Sequence, residues 1–355
     1  MIHLLLFQSP SSYLNRMASD SPTMDSLPCD FCLDVMGHLN LDKDNYKELS
    51  TVLSGRWKEA AETYAHNIED LELRCKVVNG SWSFVKCFLA PRNDISAEEI
   101  LAMDDRFIRC NYIFINTCLE DIQYYNPCSK EEILNEVIPR TVQQLRPSSR
   151  IFFQHNLCHL SRQDAELFFE SFLGSPGFGL RCFGALGLPY YGPESESFLS
   201  TLLDRSCSVE CLLLDSQWPN SQSVEELLVK FLSPRDGIAL YVHPPEDLES
   251  ETSLTLSSTI LEAIVNAWDK ADSFLYVCAP WQSGFEEVLL VPVWPNVTRK
   301  LLKAKYENKY FIVWSKESGS TLSCTIDFTE RKISFDSPPD EKVYDPNNLC
   351  FLVSP

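Results

Sequence analysis

Short apolar runs recur through the middle of this sequence at a nearly constant spacing. The runs are NYIFIN (111–116), IFFQH (151–155), LRCFGAL (180–186), ECLLLD (210–215), IALYV (238–242) and FLYVCA (274–279). The starts at 151, 180, 210, 238 and 274 lie 29, 30, 28 and 36 residues apart. Most runs are followed by a polar loop and then a helical pattern. Strand–loop–helix units of about 30 residues predict an α/β fold in which helices cover a parallel sheet.

Hydroxyl residues that precede an acidic residue by three positions mark the predicted helix starts. In a capping box the hydroxyl accepts a backbone N–H hydrogen bond at the helix start, and the glutamate caps the turn in return. The candidates are Ser96-x-x-Glu99, Ser129-x-x-Glu132, Ser223-x-x-Glu226 and Thr259-x-x-Glu262, with Ser161 and Asp164 as a weaker version.

Two architectures fit these units. One is an irregular leucine-rich-repeat-like β/α solenoid, in which each unit stacks on its neighbour. The other is a doubly wound sheet. The nearly constant period favours the solenoid, although the units lack a strict L-x-x-L-x-L pattern and an asparagine ladder.

The N-terminal part has a different pattern. Apolar residues at helical spacing predict two amphipathic helices, and a third helical run covers 59–73. The residues that carry the first two patterns are Phe31, Val35, Met36, Leu39, Leu49, Val52, Leu53, Trp57 and Ala60. We predict a disordered leader over 1–23, a three-helix domain over 24–70 and an α/β repeat domain over 71–300. A β meander with a tail is predicted over 301–355.

The meander prediction rests on KYFIVWSKESGSTLSCTIDFTERKISF (309–335). Apolar and polar residues alternate there, with turn signals at 316–320 and 329–332. The preceding basic run TRKLLKAK (298–305) is amphipathic, and we interpret it as the end of a helix.

Charge excludes several classes of partner. The chain has 30 Lys and Arg against 50 Asp and Glu, a net charge of −20. So acidic a surface repels phosphates and anionic lipids, so we predict neither a nucleic-acid nor a membrane partner. The 14 cysteines show no repeated spacing, and we predict no secretory signal. Both observations favour a cytoplasmic or nuclear protein.

Two cysteine- and histidine-containing segments resemble metal sites. Cys29 and Cys32 have C-x-x-C spacing, with His38 six residues further on. HNLCH (155–159) contains two histidines and a cysteine. A structural zinc site needs four ligands, and the chain has no second C-x-x-C pair. HNLCH lies in a predicted loop and lacks the glutamate of H-E-x-x-H. We therefore predict no metal site.

Signatures of an α/β enzyme are missing. The glycine-rich run at 174–187 follows a predicted helix and precedes a predicted strand, which is the wrong order for a phosphate-binding turn. The chain contains neither a P-loop nor a G-x-S-x-G elbow. Asp215 and His243 end predicted strands, and we interpret both as loop residues. The prediction is a non-catalytic protein without a cofactor.

LPCDFCLDVMGHLNLDKDNYKELSTVLSGRWKEAA, which begins at Leu27, resembles an F-box. The pattern positions are Leu27, Pro28, Phe31, Val35, Leu39, Leu49, Ser50, Val52 and Trp57. With a β-rich C-terminal region, the chain resembles the F-box proteins expanded in nematodes. The resemblance implies that all of these except Ser50 bind a Skp-type adaptor. It also implies a cullin partner and a role as substrate receptor of a ubiquitin ligase. The alternatives are an α/β interaction scaffold without adaptor binding and, less favoured, a hydrolase-type or nucleotide-binding enzyme.

Large aromatic residues repeatedly follow the predicted strands. In a parallel array these loops line up along one edge, where aromatic anchors would bind a target protein. The candidates are Tyr124, Tyr125, Tyr190, Tyr191, Trp218 and Trp281. The alternative is that the rings fold inward and fill the space between strand ends and helices.

Overall fold

A computed structural model gives the fold of most of the chain. It describes residues 27–39, 41–89, 103–116, 126–153, 160–178, 183–205, 209–233, 237–244, 254–270, 275–281, 283, 285–303 and 308–337. The predicted leader (1–23) lies outside this range, as do the cap candidate Ser96 and the whole HNLCH segment (155–159). Within the described residues, no helix has both the length and the apolar content needed to cross a membrane.

Three helices lead the described chain: α1 (Cys29–Leu39), α2 (Lys43–Val52) and α3 (Gly55–Asn67). The carboxylate of Asp42 caps α2 by accepting a hydrogen bond from the backbone N–H of Asn45 at 2.8 Å. The third helical run was predicted to reach residue 73, and this is wrong. The helix ends at Asn67 because the following residues alternate between buried and partly exposed positions and form a strand.

That strand, β1 (Glu69–Val78), is joined to β2 (Ser81–Phe88) by a two-residue turn. Asn79 and Gly80 have φ values of 51° and 76°. Asparagine followed by glycine is favoured in such a turn, because both positions need a left-handed backbone conformation. This hairpin was not predicted.

The middle of the chain alternates strands and helices. Its elements are β3 (Ile108–Ile115), β4 (Asn126–Cys128), α4 (Lys130–Glu132), a π-helical turn (Ile133–Val137), α5 (Ile138–Gln143), β5 (Leu145–Phe153), α6 (Arg162–Gly174), β6 (Phe183–Leu188), α7 (Pro193–Asp204), β7 (Val209–Leu214), α8 (Gln222–Phe231), β8 (Ile238–Val242), α9 (Ser258–Lys270) and β9 (Leu275–Pro280). Each consecutive pair from β5 to β9 is parallel. The predicted α/β class is confirmed.

Four antiparallel strands follow the short helix α10 (Phe285–Leu289). They are β10 (Val297–Lys303), β11 (Lys309–Lys316), β12 (Thr321–Asp327) and β13 (Lys332–Ser337). The last three lie where the meander was predicted. β10 corrects the interpretation of 298–305 as a helix end, because pairing with β11 outweighs the local helical pattern. The sheet order is β10-β11-β12-β13-β9-β8-β7-β6-β5-β3-β1-β2-β4.

The core lies on one face of the parallel strands. The register places Ile151, Leu186, Leu212, Leu240 and Val277 in one row across β5 to β9, and each is at most 1% exposed. Phe153 lies on the same face as Ile151. Its ring centroid is 5.1 Å and 5.9 Å from those of Phe169 and Phe172 in α6, and 6.2 Å from that of Phe198 in α7. This face therefore packs against the helices.

Helix caps follow the predictions in part. Ser129 accepts a hydrogen bond from the N–H of Glu132 at 3.0 Å, and Ser161 accepts one from Asp164 at 3.1 Å, as predicted. The caps before α8 and α9 are not Ser223 and Thr259. They are the hydroxyls of Ser221 and Ser257, each two residues earlier, which accept from Val224 at 3.4 Å and Ile260 at 3.2 Å.

The chain divides into two compact units. The first comprises Met1–Leu73, Lys86–Asn111 and Gln144–Arg146, so it contains α1 to α3 and parts of four strands. The second comprises Arg74–Val85, Tyr112–Gln143 and Pro147–Pro355.

Candidate functional site

The three N-terminal helices pack around a small apolar core. Its buried members are Cys32, Leu33, Met36, Tyr46, Ala60, Ala61, Tyr64 and Ile68. The rings of Tyr46 and Tyr64 stack with centroids 5.0 Å apart, and the Tyr46 hydroxyl donates to the carbonyl of Met36. Gly37 allows α1 to approach this pair, because a Cβ there would lie 2.5 Å from the Tyr64 hydroxyl oxygen. The helices thus have a defined arrangement of their own.

Two buried arginines lie beside this core within the first unit. Arg146 donates to the carbonyl of Leu41 at 3.3 Å and lies 3.7 Å from the Asp70 carboxylate. The guanidinium of Arg109 stands 5.8 Å from the Tyr64 ring centroid. Burial raises the pKa of Tyr46, and it raises the pKa of Tyr64 to about 12, so both phenols stay neutral. These contacts connect α3 and the segment between α1 and α2 to strand residues of the same unit.

A charged cluster borders α1. Arg106 lies 2.8 Å from Asp104, 3.5 Å from Asp30 and 3.9 Å from Asp34. The hydrogen bonds from Arg106 lower the pKa of the Asp104 carboxyl, and those same bonds raise the pKa of the guanidinium. The solvent side of α1 is therefore acidic at its N-terminal half.

The predicted adaptor-binding residues fall into two groups. Phe31, Leu39 and Val52 are 47%, 40% and 49% exposed, which is unusual for large apolar side chains. Pro28 is also exposed, and Val35 is partly buried. The other three pack partly against the helical core: Leu27, Leu49 and Trp57.

One pair of these residues is in direct contact. The Phe31 and Trp57 rings meet edge to face, with centroids 6.4 Å apart. The Trp57 indole N–H is buried and has no hydrogen-bond partner among the described residues. The arrangement leaves an apolar surface, centred on Phe31 and Trp57, at one side of the helical unit.

The predicted target-binding aromatics are mostly buried. Trp218 and Trp281 are 0% and 2% exposed, and Tyr191 is 8% exposed. The indole N–H of Trp218 donates to the carbonyl of Leu188 at 2.8 Å. These rings fill the space beyond the strand ends, as expected from the alternative in which they fold inward. Tyr124 and Tyr125 lie outside the described residues.

Tyr190 is partly buried and closes a polar network. Its hydroxyl donates to Glu196 at 2.9 Å, and burial raises its pKa to about 12. Its ring lies 5.3 Å from that of Trp218. The backbone N–H of Tyr190 donates to Asp215 at 3.2 Å, so Asp215 organises the loop that contains it. A target could contact only the outer part of this tyrosine.

A second aromatic cluster was not predicted, and six of its nine members are buried. It lies on the sheet face opposite the helices, and we call it the aromatic face. Its members are Tyr112, Phe114, Phe152, Ala185, Cys211, Leu213, Ala239, Tyr241 and Tyr276. All of them are strand residues. The sequence signal was the period-two spacing within strands, as in Tyr112 and Phe114 or in the LYV triplets of β8 and β9.

The remaining candidate residues show no shared site. Cys29 is exposed and Cys32 is buried, and the imidazole of His38 bonds to the carbonyl of Asp34 at 2.8 Å. The described residues contain no group of His, Cys, Asp and Glu that could hold a metal ion. His243 follows β8, and burial lowers its pKa.

Comparison with known proteins gives no relative: no protein-family model matches the chain, and no curated protein matches it.

Proposed function

We propose that this chain is a substrate-receptor subunit of a cullin–RING ubiquitin ligase. In this proposal, α1 to α3 dock onto a Skp-type adaptor, and the α/β region captures a target protein. The observation that carries the proposal is the exposure of Phe31, Leu39 and Val52 on a helical unit whose own core is complete without them. Ubiquitin transfer belongs to other subunits, so this chain supplies binding surfaces only.

Burial energetics support a docking role for these side chains. Full burial of a large apolar side chain contributes roughly 1.5–3 kcal/mol. Phe31 and Val52 are each about half exposed, so a partner that covers both recovers a substantial part of this energy. The acidic residues beside α1 give the surface a charged border, which favours an adaptor with basic residues opposite Asp30 and Asp34.

We further propose that the parallel region is an irregular leucine-rich-repeat-like solenoid. The sequential order of β5 to β9 supports this proposal, because every strand pairs with the next strand of the chain. A doubly wound sheet would instead reverse its order at a switch point.

A second candidate is an α/β interaction scaffold that binds no adaptor. The inward packing of Leu27, Leu49 and Trp57 favours it, because these side chains serve the helical core. In that case the three helices act as the N-terminal cap of the α/β region.

Binding of a purified Skp-type adaptor separates the two candidates. We expect Phe31→Ala with Val52→Ala to abolish co-purification while the melting temperature stays within a few degrees of the parent value. Leu290→Ala is the matched control, since Leu290 is 80% exposed and lies in the other unit. Equal adaptor binding by the folded double variant would remove the adaptor-docking proposal.

A further inference from the structure

Strand β10 forms one end of the sheet, and no described strand pairs with its outer edge. It is seven residues long, whereas β4 at the opposite end of the sheet has three residues. An edge strand presents backbone N–H and C=O groups that point away from its neighbour, and very short edge strands limit this exposure. β10 therefore offers an edge that is long enough for a further strand to pair with it.

The row of core residues on the helix-packed face ends at this edge in an exposed leucine. From β9, the strand register continues the row through the meander to Leu301 of β10. Its members on the way are Val277, Phe335, Cys324 and Ile312, each 0% exposed. Leu301 is 41% exposed, because no described strand lies beyond β10. A strand added at this edge would cover Leu301 and extend the row by one position.

Other exposed apolar side chains lie beside this strand. The segment that leads from α10 into β10 contains Leu290, which is 80% exposed, and Val293, which is 39% exposed. The guanidinium of Arg299 donates to the carbonyl of Val291 at 2.7 Å, so this segment is held next to β10. Arg299 and Leu301 are two residues apart in the strand and therefore lie on the same face. The segment and Leu301 thus border the same side of the sheet.

The edge is basic although the chain has a net charge of −20. The sequence of β10, VTRKLLK, contains three basic residues and no acidic one. Lys300 is exposed and lies on the face opposite Leu301, since neighbouring residues of a strand point to opposite faces. Pairing of β10 with β10 of a second copy would bring like charges together, whereas a strand with acidic residues would be attracted. The charge therefore favours an acidic strand of a partner protein.

From this arrangement we infer that β10 is the edge at which a target protein adds one extended strand to the sheet. In the added strand, an apolar residue lies opposite Leu301, and the adjacent residue, which is acidic, lies opposite Lys300. Backbone hydrogen bonds along the edge supply affinity, and these two side-chain pairs supply specificity. The inference rests on the target-capture part of the proposed function. It moves the contact surface from the loops, where Trp218 and Trp281 are buried, to the end of the sheet.

The test uses the full chain, immobilised, and a phage-displayed library of random linear peptides. We expect enrichment of peptides in which acidic residues alternate with apolar residues. A synthetic copy of an enriched peptide should bind Lys300→Glu about three- to tenfold more weakly than the parent chain, because a charge pair becomes a repulsion. Lys47→Glu is the matched control, since it makes the same change of charge at an exposed position of α2 and should leave the affinity unchanged.

N-methylation of the peptide tests the backbone pairing, because it removes N–H donors without changing the side chains. Alternate N–H groups of a strand point to the same side, so only one of two alternating sets of N-methyl groups faces β10. We expect that set to weaken binding about tenfold or more and the other set to have little effect. Leu301→Ala should also weaken binding, whereas Val78→Ala should not, since Val78 is a similarly exposed residue of β1.

Melting temperatures identify variants that fail to fold, and the N-methyl comparison needs no variant. Equal affinity for the parent chain and Lys300→Glu, equal effects of the two N-methyl sets, or a selection that enriches no peptide would overturn the inference. The basic residues would then serve only to keep sheet edges apart. A dimer in sedimentation equilibrium that is lost in Leu301→Ala would assign the edge to a second copy instead. The selection needs no adaptor, so its result can be read whether or not the adaptor-binding experiment succeeds.

Discussion

Lys316 caps the C-terminal end of α9 by binding the carbonyl of Trp268. Its ammonium nitrogen Nζ donates to that carbonyl at 3.0 Å and to the carbonyl of Asp269 at 2.7 Å. The same nitrogen lies 4.8 Å from the centroid of the Trp268 indole. A cation at this position satisfies carbonyls that have no partner within the helix and interacts favourably with the helix dipole.

Replacement of this lysine should destabilise the second unit. Lys316→Met keeps the length of the side chain but removes both hydrogen bonds, and the side chain is only 10% exposed. We expect a loss of about 2 kcal/mol in the free energy of unfolding, as for other charged hydrogen bonds. Denaturant unfolding measures this loss in the free energy of unfolding. Lys300→Met is the control at an exposed strand position, and an equal effect in both variants would contradict the capping role.

Gly37 should tolerate no side chain. Alanine there places Cβ 2.5 Å from the Tyr64 hydroxyl oxygen, and Tyr64 is 1% exposed and stacked on Tyr46. The ring has no free space to move into, so we expect Gly37→Ala to cost about 1–3 kcal/mol. Thermal unfolding is the measurement.

Gly174 offers the matched control for this substitution. It ends α6, and a Cβ there would meet no atom within 4 Å. Alanine at such a helical position stabilises by up to about 1 kcal/mol. A neutral Gly37→Ala variant would mean that α1 does not approach Tyr64 this closely.

Trp218 should behave as a core residue. It is fully buried, and its indole N–H bonds to the carbonyl of Leu188. Truncation of a buried tryptophan costs about 3–5 kcal/mol, so Trp218→Ala should lower the melting temperature strongly. Leu290→Ala should change stability by less than about 0.5 kcal/mol, because that side chain is exposed. Unchanged melting of Trp218→Ala would restore the loop as a candidate target-binding surface.

The stability of the folded chain should depend on pH because of His243. Burial disfavours the charged imidazole, so the pKa of His243 is lower in the folded chain than in the unfolded chain. The unfolded state therefore binds a proton first as pH falls below about 6.5. The stability contributed by neutral His243 is complete above that pH and is lost as pH falls toward the folded pKa.

Unfolding free energies measured at two pH values test the direction of this pH dependence. We expect the drop in stability between pH values above and below about 6.5 to be smaller in His243→Gln than in the parent chain. His66→Gln is the control, a histidine at an exposed position in the last turn of α3. Equal drops in the parent chain and in His243→Gln would exclude His243 as the source of the pH dependence.

Much of the parallel region could be predicted because its strands are buried on the helix-packed face. Apolar runs such as IALYV match β8 residue for residue, since Ile238 to Val242 lie between two neighbouring strands. Other elements depend on partners distant in sequence. The residues of β10 have a helical pattern of their own, and only pairing with β11 makes them a strand. The Asn79–Gly80 turn is a strong local signal, but the hairpin that it forms was not predicted.

The candidate sites were predictable to different degrees. Helical spacing located the N-terminal helices, but it could not separate exposed Phe31 from Trp57, which packs partly inward. That distinction depends on how the three helices cross. The aromatic face requires the register of five strands, because Arg150 and Tyr276 become members of one row only after β6, β7 and β8 are placed between them.

The pairing of β13 with β9 affects how the chain can be synthesised and folded. Phe335 pairs with Val277, and β13 is the last described strand to leave the ribosome. Until then, β9 has an unpaired edge while β5 to β8 already have both neighbours. Nascent chains grow at about 5–20 residues per second and domains fold from the N-terminal side, so this edge stays available for seconds. The edge of β9 is therefore open to non-native strand pairing until β13 has been made.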